Sequence, residues 1–393
     1  MEFELAQAAA ERLGVGVRTV QKWAKEGKLP GAIKVGRDWQ IPIGVAGPND
    51  MTEADTKDKN FSLRMPMPLL NSAFPVGECR AYIETIKDPD ERNLALGEYY
   101  YFSGHAETAA KITGSFLDHA DPMIRHSAEF INGLSNLSCN HMHLARFSIG
   151  LMKNQMLASD FANKSLAEQA WGIYAALSGK ILFHLQVPEI PNVEEYLCHL
   201  PEGYRIFSCY LLAHKAYLEK DYSRCLGIAD TALAISSNVY PIPLIHIHIM
   251  ASVALMNLMR VEEAKKRFLK AWELAQPDHL LGLFVTYHGM LQGLLEVVIK
   301  KDYLREYQEI VDKAQAFRIG WSKIHNQEMA TDASDSLNAI EFTIAMLYNR
   351  GWTVKEIAAH MEMSDRTVNN RIQVIYAKLG ITSKKELGHF MLR

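Results

Sequence analysis

Apolar residues recur with a helical period along most of this chain, and the pattern is clearest near its C-terminal end. Between residues 337 and 392, successive apolar stripes follow one another, and the third is formed by Val368, Ile372, Ile375 and Leu379. Residues that can cap a helix open four short stretches, at Asn338, Thr353, Ser364 and Ser383. Gly351 and Gly380 follow the first and third stretches, where a helix often ends in a left-handed residue. The pattern predicts four short helices.

The third predicted helix has a polar face opposite its apolar stripe. That face contains Arg366, Asn369, Asn370 and Gln373. Asn and Gln can form two hydrogen bonds with adenine in the major groove of DNA, and Arg can do the same with guanine. Since positive side chains also attract phosphates, the pattern favours double-stranded DNA as a partner. A small helical module that binds protein is the alternative.

Several residues of this segment stand at characteristic positions: Glu341, Gly351, Lys355-Glu356-Ile357-Ala358, Ser364, Thr367-Val368 and Lys378-Leu379-Gly380. Through them the segment resembles the C-terminal domain of LuxR-type transcription regulators. The resemblance implies a four-helix domain that places its third helix in the major groove and often dimerises through its fourth.

The resemblance also assigns roles by position. It implies base contacts for Asn369, Asn370 and Gln373. It implies phosphate contacts for Lys355, Thr367 and Arg371. The family usually has other residues at Ile340, Asn369 and Arg371, so the fold is implied but the DNA sequence is not.

Residues 3–42 contain a second helix-turn-helix pattern. One helix is expected from about Glu4 to Leu13 and another from about Val17 to Glu26, and alternating residues after them predict a small hairpin. The residues that carry this order are Ala8-Ala9, Leu13-Gly14-Val15, Arg18-Thr19-Val20, Trp23, Gly27, Leu29-Pro30, Val35-Gly36-Arg37, Trp39 and Ile41-Pro42. Together they resemble excisionase-like, MerR-related DNA-binding domains with a winged helix-turn-helix.

That second resemblance also implies DNA contacts. The groove-facing side chains would be Arg18, Thr19, Gln21 and Lys22. Lys34 and Arg37 would lie on the wing, near phosphates. Both Trp23 and Trp39 are expected to pack in the small core. The alternative is that this domain serves protein contact or autoregulation.

The middle of the chain predicts helix after helix, so the fold class is mainly all-α. Residues 43–64 are rich in Gly, Pro and charge and predict a flexible linker before a helical domain at 65–330. Small residues recur at Ala109, Ala145, Cys225 and Ala264, with one degenerate repeat fitting in the longest gap. This spacing resembles tetratricopeptide repeats, which implies a solenoid with a concave face for a partner. An irregular helical bundle is the alternative.

Charge and cysteine usage fit these domains. The net charge of −3 hides two basic ends, with seven Lys/Arg against five acids in residues 1–42 and eight against five in residues 337–393. The five cysteines are scattered and predict reduced thiols and a cytoplasmic protein. The longest apolar run, from Pro241 to Met259, is interrupted by His246 and His248, so we expect a buried helix and no membrane contact.

We find no pattern that predicts catalysis, a metal or a cofactor. His141 and His143 follow Cys139, but positions two apart do not share a helical face and a third ligand is not apparent. The chain also lacks the phosphate-binding loop of an ATPase.

The sequence therefore predicts a cytoplasmic bacterial transcription regulator, a homodimer with its C-terminal DNA-binding domain at residues 336–393. Its helical middle would respond to an unidentified peptide, protein or small-molecule effector. The alternative is an interaction scaffold that uses its helix-turn-helix domains for protein contacts.

Overall fold

A computed structural model gives the architecture of the chain. It describes residues 3–25, 29, 32–36, 38–43, 67–156, 166–183, 185–186, 196–325 and 336–391. The chain divides into two compact units, residues 1–64 with 163–168, and residues 65–162 with 169–393. The described residues are mainly helical, and a three-stranded sheet lies in the first unit, so the mainly all-α fold class is confirmed.

The first unit is a small helix-turn-helix with a sheet. Its elements are β1 (Phe3–Leu5), α1 (Ala6–Arg12), α2 (Val17–Lys25), β2 (Ile33–Val35) and β3 (Asp38–Pro42). The strands are antiparallel in the order β1-β3-β2. Its core contains Ala9, Val20 and Ile41, with Trp23 buried beside them and Trp39 partly buried against them, as the sequence predicted.

The sequence prediction was wrong about the start of this unit. The first helix was expected from about Glu4, but it begins at Ala6, and Phe3 to Leu5 form a strand. That strand pairs with residues 40–42 along the open edge of β3. The pairing satisfies backbone groups that an edge strand would leave exposed, and this gain outweighs the helical preference of two extra residues.

The helical body comprises the described residues from 67 to 325, and all of it except residues 166–168 belongs to the second unit. Its α-helices are α3 (Cys79–Thr85), α4 (Pro89–Phe102), α5 (Ala106–Gly114), α6 (Pro122–Ser138), α7 (Met142–Met156), α8 (Leu166–Leu182), α9 (Glu202–Leu218), α10 (Tyr222–Ile235), α11 (Pro241–Asn257), α12 (Val261–Ala275), α13 (Gly282–Tyr287) and α14 (Leu304–His325). Each helix from α4 to α7, and from α9 to α12, packs against the next, while α14 contacts α6.

Four helix pairs in the described body, α4–α5, α6–α7, α9–α10 and α11–α12, share one turn geometry. Each turn contains one residue with a left-handed backbone: Gly104, Asn140, Lys220 and Met259. The next backbone N–H donates to the carbonyl five residues before it, as in a Schellman helix end. Five residues after each left-handed position comes a small side chain with no exposed surface: Ala109, Ala145, Cys225 and Ala264. The small residues singled out in the sequence are therefore buried at equivalent points of successive helix pairs.

The C-terminal domain, residues 336–391, shares its core with the helical body. Its helices are α15 (Ala339–Asn349), α16 (Val354–His360), α17 (Asp365–Leu379) and α18 (Lys384–Leu387). One cluster of buried apolar residues extends from Met67 to Met391 without a break between the two parts. Burial of shared apolar surface therefore stabilises the body and this domain together.

A chain of buried polar groups crosses the helical body beneath the C-terminal domain. Nδ1 of His246 lies 2.7 Å from the Tyr287 hydroxyl, which donates to the Tyr210 hydroxyl at 2.6 Å. The Tyr210 hydroxyl in turn lies 3.2 Å from Nδ1 of His214. Burial, with a smaller contribution from His214, lowers the pKa of His246 to about 3, so this imidazole is neutral at pH 7. The pairing gives His246 a structural role.

Acidification is expected to destabilise the second unit through its buried histidines. Burial lowers the pKa of His246 from 6.5 to about 3 and that of His248 from 6.5 to about 4. Below pH 6.5 the unfolded chain therefore binds more protons than the folded chain, so the free energy of unfolding falls as the pH falls towards these values. His246→Phe should flatten the dependence of the thermal midpoint on pH between about 7 and 5. An unchanged slope in this variant would contradict the assignment.

Candidate nucleic-acid interface

Side-chain caps fix the helix starts of the C-terminal domain. Asn338 Oδ1 accepts from the Glu341 N–H at 2.9 Å, and the Glu341 carboxylate accepts from the Asn338 N–H at 2.9 Å. Thr353 and Glu356 form the same reciprocal box. Each box satisfies two backbone donors that a helix end would leave unpaired.

The third and fourth helices begin differently. Ser364 Oγ accepts from the Thr367 N–H at 3.1 Å, as expected for a cap. Ser383 does precede α18, but its side chain forms no cap bond with a backbone N–H. Its hydroxyl donates to the Glu386 carboxylate at 2.6 Å, so that part of the predicted capping was wrong. A hydrogen bond to a charged carboxylate is stronger than one between neutral groups, and it orients the Ser383 hydroxyl towards Glu386.

A cap prediction follows from Thr353. Thr353→Ala should lower the free energy of unfolding by about 1 kcal/mol, because it removes the side-chain acceptor of the Glu356 N–H at the start of α16, while the bond from the Thr353 backbone N–H to the Glu356 carboxylate remains. Chemical denaturation with the midpoint and slope fitted together measures this loss. Thr382→Ala, at an exposed position before α18, serves as a control for removing a threonine hydroxyl from this domain. A loss no larger than that of the control would contradict the role of the cap.

The third helix, α17, separates a buried stripe from an exposed polar face. Val368, Ile372, Ile375 and Leu379 are buried, as their spacing predicted. The polar side chains assigned to DNA contact in this helix, other than Arg371, are exposed: Arg366, Thr367, Asn369, Asn370 and Gln373. Lys355, on α16, is exposed as well. This arrangement presents hydrogen-bonding groups to solvent on a rigid helix.

Two of the predicted phosphate-contacting residues are partly engaged within the protein. Thr367 Oγ1 lies 2.7 Å from the hydroxyl of Ser364, so this side chain belongs to the cap of α17. Arg371 is half-buried, and its Nε atom is buried without a hydrogen-bond partner. The Arg371 residue as a whole is partly exposed, and a guanidinium carries further N–H donors that can bind an anion.

An apolar side chain on the same surface escaped the sequence analysis. Val374 follows Gln373 and is 44 % exposed. An exposed apolar side chain on a recognition helix can contact the methyl group of thymine. The helical period alone places Val374 outside the buried stripe, so this signal was present in the sequence.

The first unit places its predicted DNA-contacting residues on one helix and one strand. Arg18, Gln21 and Lys22 are exposed on α2, while Thr19 is partly exposed. Lys34 is exposed on β2. The prediction for Arg37 falls outside the described residues.

Polar contacts attach the C-terminal domain to the helical body through α15. The Arg350 guanidinium, at the end of α15, donates to Asn257 Oδ1 at 2.9 Å and to the Tyr217 hydroxyl at 2.8 Å. The guanidinium of Arg318, on α14, stacks over the Phe342 ring with 4.3 Å to the centroid. These contacts come from opposite ends of the helix and fix its orientation on the body.

A second contact attaches the end of α16. His360 Nε2 lies 2.8 Å from the backbone oxygen of Gln292, so the neutral imidazole donates from this nitrogen. Burial lowers the pKa of His360, which favours that neutral form, although the bond to Gln292 opposes the shift. Gly293, the next residue after Gln292, lies against the end of α16, since a Cβ there would come within 2.6 Å of Met361 Sδ. The body therefore holds α15 and the end of α16, and the polar face of α17 remains exposed.

A cavity of about 430 Å³ lies where the body meets α15. Its apolar lining includes Phe317, Phe342 and Met346. Tyr217 and Arg350 contribute polar groups to the same wall. The cavity is therefore bounded by both the helical body and the C-terminal domain.

Comparison with known protein families identifies both ends of the chain. Residues 335–391 match the luxR family of bacterial regulatory proteins, and residues 6–43 match a helix-turn-helix domain family. No curated protein and no solved structure matches the chain. The chain thus contains an N-terminal helix-turn-helix domain and a C-terminal LuxR-type helix-turn-helix domain, as the sequence predicted, and these domain types bind DNA. Within the described ranges, no helix is both long and apolar enough to cross a membrane.

Proposed function

We propose that this protein is a cytoplasmic, sequence-specific transcription regulator that reads the major groove with α17. The observation that carries the proposal is the exposed polar face of α17, opposite its buried stripe, in a domain already packed on the body. Asn369, Asn370 and Gln373 would contact base edges, and Val374 would contact thymine methyl groups. Arg366, Lys355, Thr367 and Arg371 would contact phosphates and hold the helix in register.

The first unit would add contacts to the same DNA or to a neighbouring site. Arg18, Thr19, Gln21 and Lys22 would face the groove, with Lys34 and Arg37 near phosphates. A homodimer would place two C-terminal domains on paired half-sites, because symmetric proteins bind symmetric operators. We propose four segments: an N-terminal helix-turn-helix domain at residues 1–42, a linker at 43–64, the helical sensor domain at 65–330 and the LuxR-type domain at 336–393.

The helical body would act as a tetratricopeptide-like sensor. Its four repeated turns and the buried small residues behind them support this proposal. An effector on the body would change how the C-terminal domain is held, provided that it binds the two arrangements with different affinity. The body's contacts with α15 supply the route by which such a change would reach α17.

Lys355→Ala tests the proposed phosphate contact. It should weaken binding to genomic DNA fragments of every sequence and reduce the slope of log K against log salt by about 1. Fluorescence anisotropy at several salt concentrations gives both values. Lys111→Ala removes the same charge from an exposed position on α5 and should change neither. If Lys355→Ala and Lys111→Ala behave alike, α16 does not lie against the phosphates.

A further inference from the structure

We propose that the cavity between the helical body and α15 binds a small apolar molecule that carries a carboxylate. The inference rests on the proposal that the body responds to an effector, and it gives that effector a site and a chemical class.

The size and lining of the cavity fit an apolar ligand. Its volume of about 430 Å³ lies within the range of about 300–1,000 Å³ that is typical of small-molecule sites. Apolar side chains line it from both the body and α15, including Leu182, Val285, Val311, Phe317, Phe342 and Met346. An apolar chain or ring placed there would lose contact with water without leaving a polar group unpaired.

The charge of the cavity favours an anionic group on that ligand. Arg318 and Arg350 both line it. The Arg350 guanidinium donates to two neutral oxygens, of Asn257 and Tyr217, and no ion pair with a carboxylate is found for it among the described residues. A guanidinium forms stronger and often paired hydrogen bonds with a carboxylate. Asp312 also lines the cavity, but it is exposed, so water screens its charge.

Occupation of the cavity would stabilise the attachment of the C-terminal domain. Val311 belongs to the body, whereas Phe342, Met346 and Arg350 belong to α15 or its end. A ligand that touches both sides loses its contacts with one of them when the domain separates from the body. The ligand therefore binds the attached arrangement more tightly, and it shifts the population towards that arrangement.

Sodium dodecanoate is the probe, and dodecanol is its uncharged counterpart. Isothermal titration calorimetry of the full chain, below the micelle concentration, should show saturable binding of dodecanoate. Arg350→Met should lower the affinity for dodecanoate by about tenfold or more, because the charge-assisted bond is lost. It should change the affinity for dodecanol by less than about threefold, because the apolar contacts remain. Hydrogen exchange of the α15 amides should slow when dodecanoate is bound.

Filling the cavity gives an independent test. Val311→Trp places a large side chain in the cavity and should abolish the binding of both probes. Arg305→Trp adds an indole at an exposed position of the same helix and should leave binding unchanged. Thermal unfolding of each variant identifies any that fails to fold.

Several results would overturn the inference. Absence of saturable dodecanoate binding to the wild-type chain would do so, and so would equal binding by the wild type and a folded Val311→Trp variant. If Arg350→Met lowers the affinities for dodecanoate and dodecanol equally, Arg350 does not bind the carboxylate and the proposed ligand class is wrong. DNA affinity is measured on the same protein without dodecanoate, so a chain that binds DNA but not dodecanoate refutes this inference alone.

Discussion

Replacing Asn369 and Gln373 together by alanine should lower the affinity for a specific DNA site at least about thirtyfold. Each lost two-bond contact with a base is worth about 1–3 kcal/mol, and two such losses add because the side chains contact different base pairs. Both side chains are exposed, so their truncation should leave the thermal midpoint of the protein unchanged. The measurement is fluorescence anisotropy with the preferred site and, in parallel, with a scrambled duplex.

The pattern of losses distinguishes base reading from general attraction. Affinity for the scrambled duplex should stay within about threefold of the wild type, since the phosphate contacts remain. Asn93→Ala, which truncates an exposed amide on α4, should behave as the wild type on both duplexes. A double variant that loses affinity equally for both duplexes would show that these two residues do not read bases.

Gly293→Ala should loosen the C-terminal domain from the helical body. Gly293 has a positive φ of 86°, and a Cβ at this position would lie 2.6 Å from Met361 Sδ and 3.0 Å from His360 Nε2. Backbone strain costs about 1–3 kcal/mol for a residue other than glycine in this region. The collision adds about 1–3 kcal/mol and forces apart the contact that His360 makes with Gln292.

A second glycine separates strain from collision. Gly351 has a φ of 98°, but a Cβ there would meet nothing within 4 Å. Gly351→Ala should therefore lower the free energy of unfolding by the cost of backbone strain alone. Hydrogen exchange of the α15 and α16 amides, together with the free energy of unfolding, should show the larger effect in Gly293→Ala. Equal losses in the two variants would mean that the contact at His360 contributes little to holding the domain.

The C-terminal domain was predictable because its signals are local. The caps at Asn338 and Thr353 and the stripe through Val368 lie within a few residues of the helices that they define. Such short-range patterns survive in the folded protein because tertiary packing agrees with them. The exposure of Asn369 and Gln373 follows from the same helical period.

Features that depend on distant partners were not predictable in the same way. The strand from Phe3 to Leu5 exists because it pairs with residues far along the chain. The attachment of Arg350 to Tyr217 joins positions more than a hundred residues apart. Neither contact is marked by a periodic pattern in the sequence. The period of the apolar residues indicates which face of an element is buried, but it does not indicate which other element covers that face.

The repeated turns show a third kind of limit. Left-handed backbone is typical of glycine and asparagine, and Gly104 and Asn140 fit that rule. Lys220 and Met259 adopt the same conformation although their side chains disfavour it. The packing of the paired helices outweighs the local cost at these two turns, so the repeat is regular in structure and irregular in sequence.

The most direct test of the account is selection of DNA by the full-length protein. Purified protein is incubated with sheared genomic DNA near physiological salt, and the retained fragments are sequenced. We expect an enriched motif, arranged as paired half-sites, that disappears when Asn369 and Gln373 are replaced by alanine. Retention of the same motif by that folded double variant, or the lack of any motif with the wild type, would contradict reading of DNA by α17.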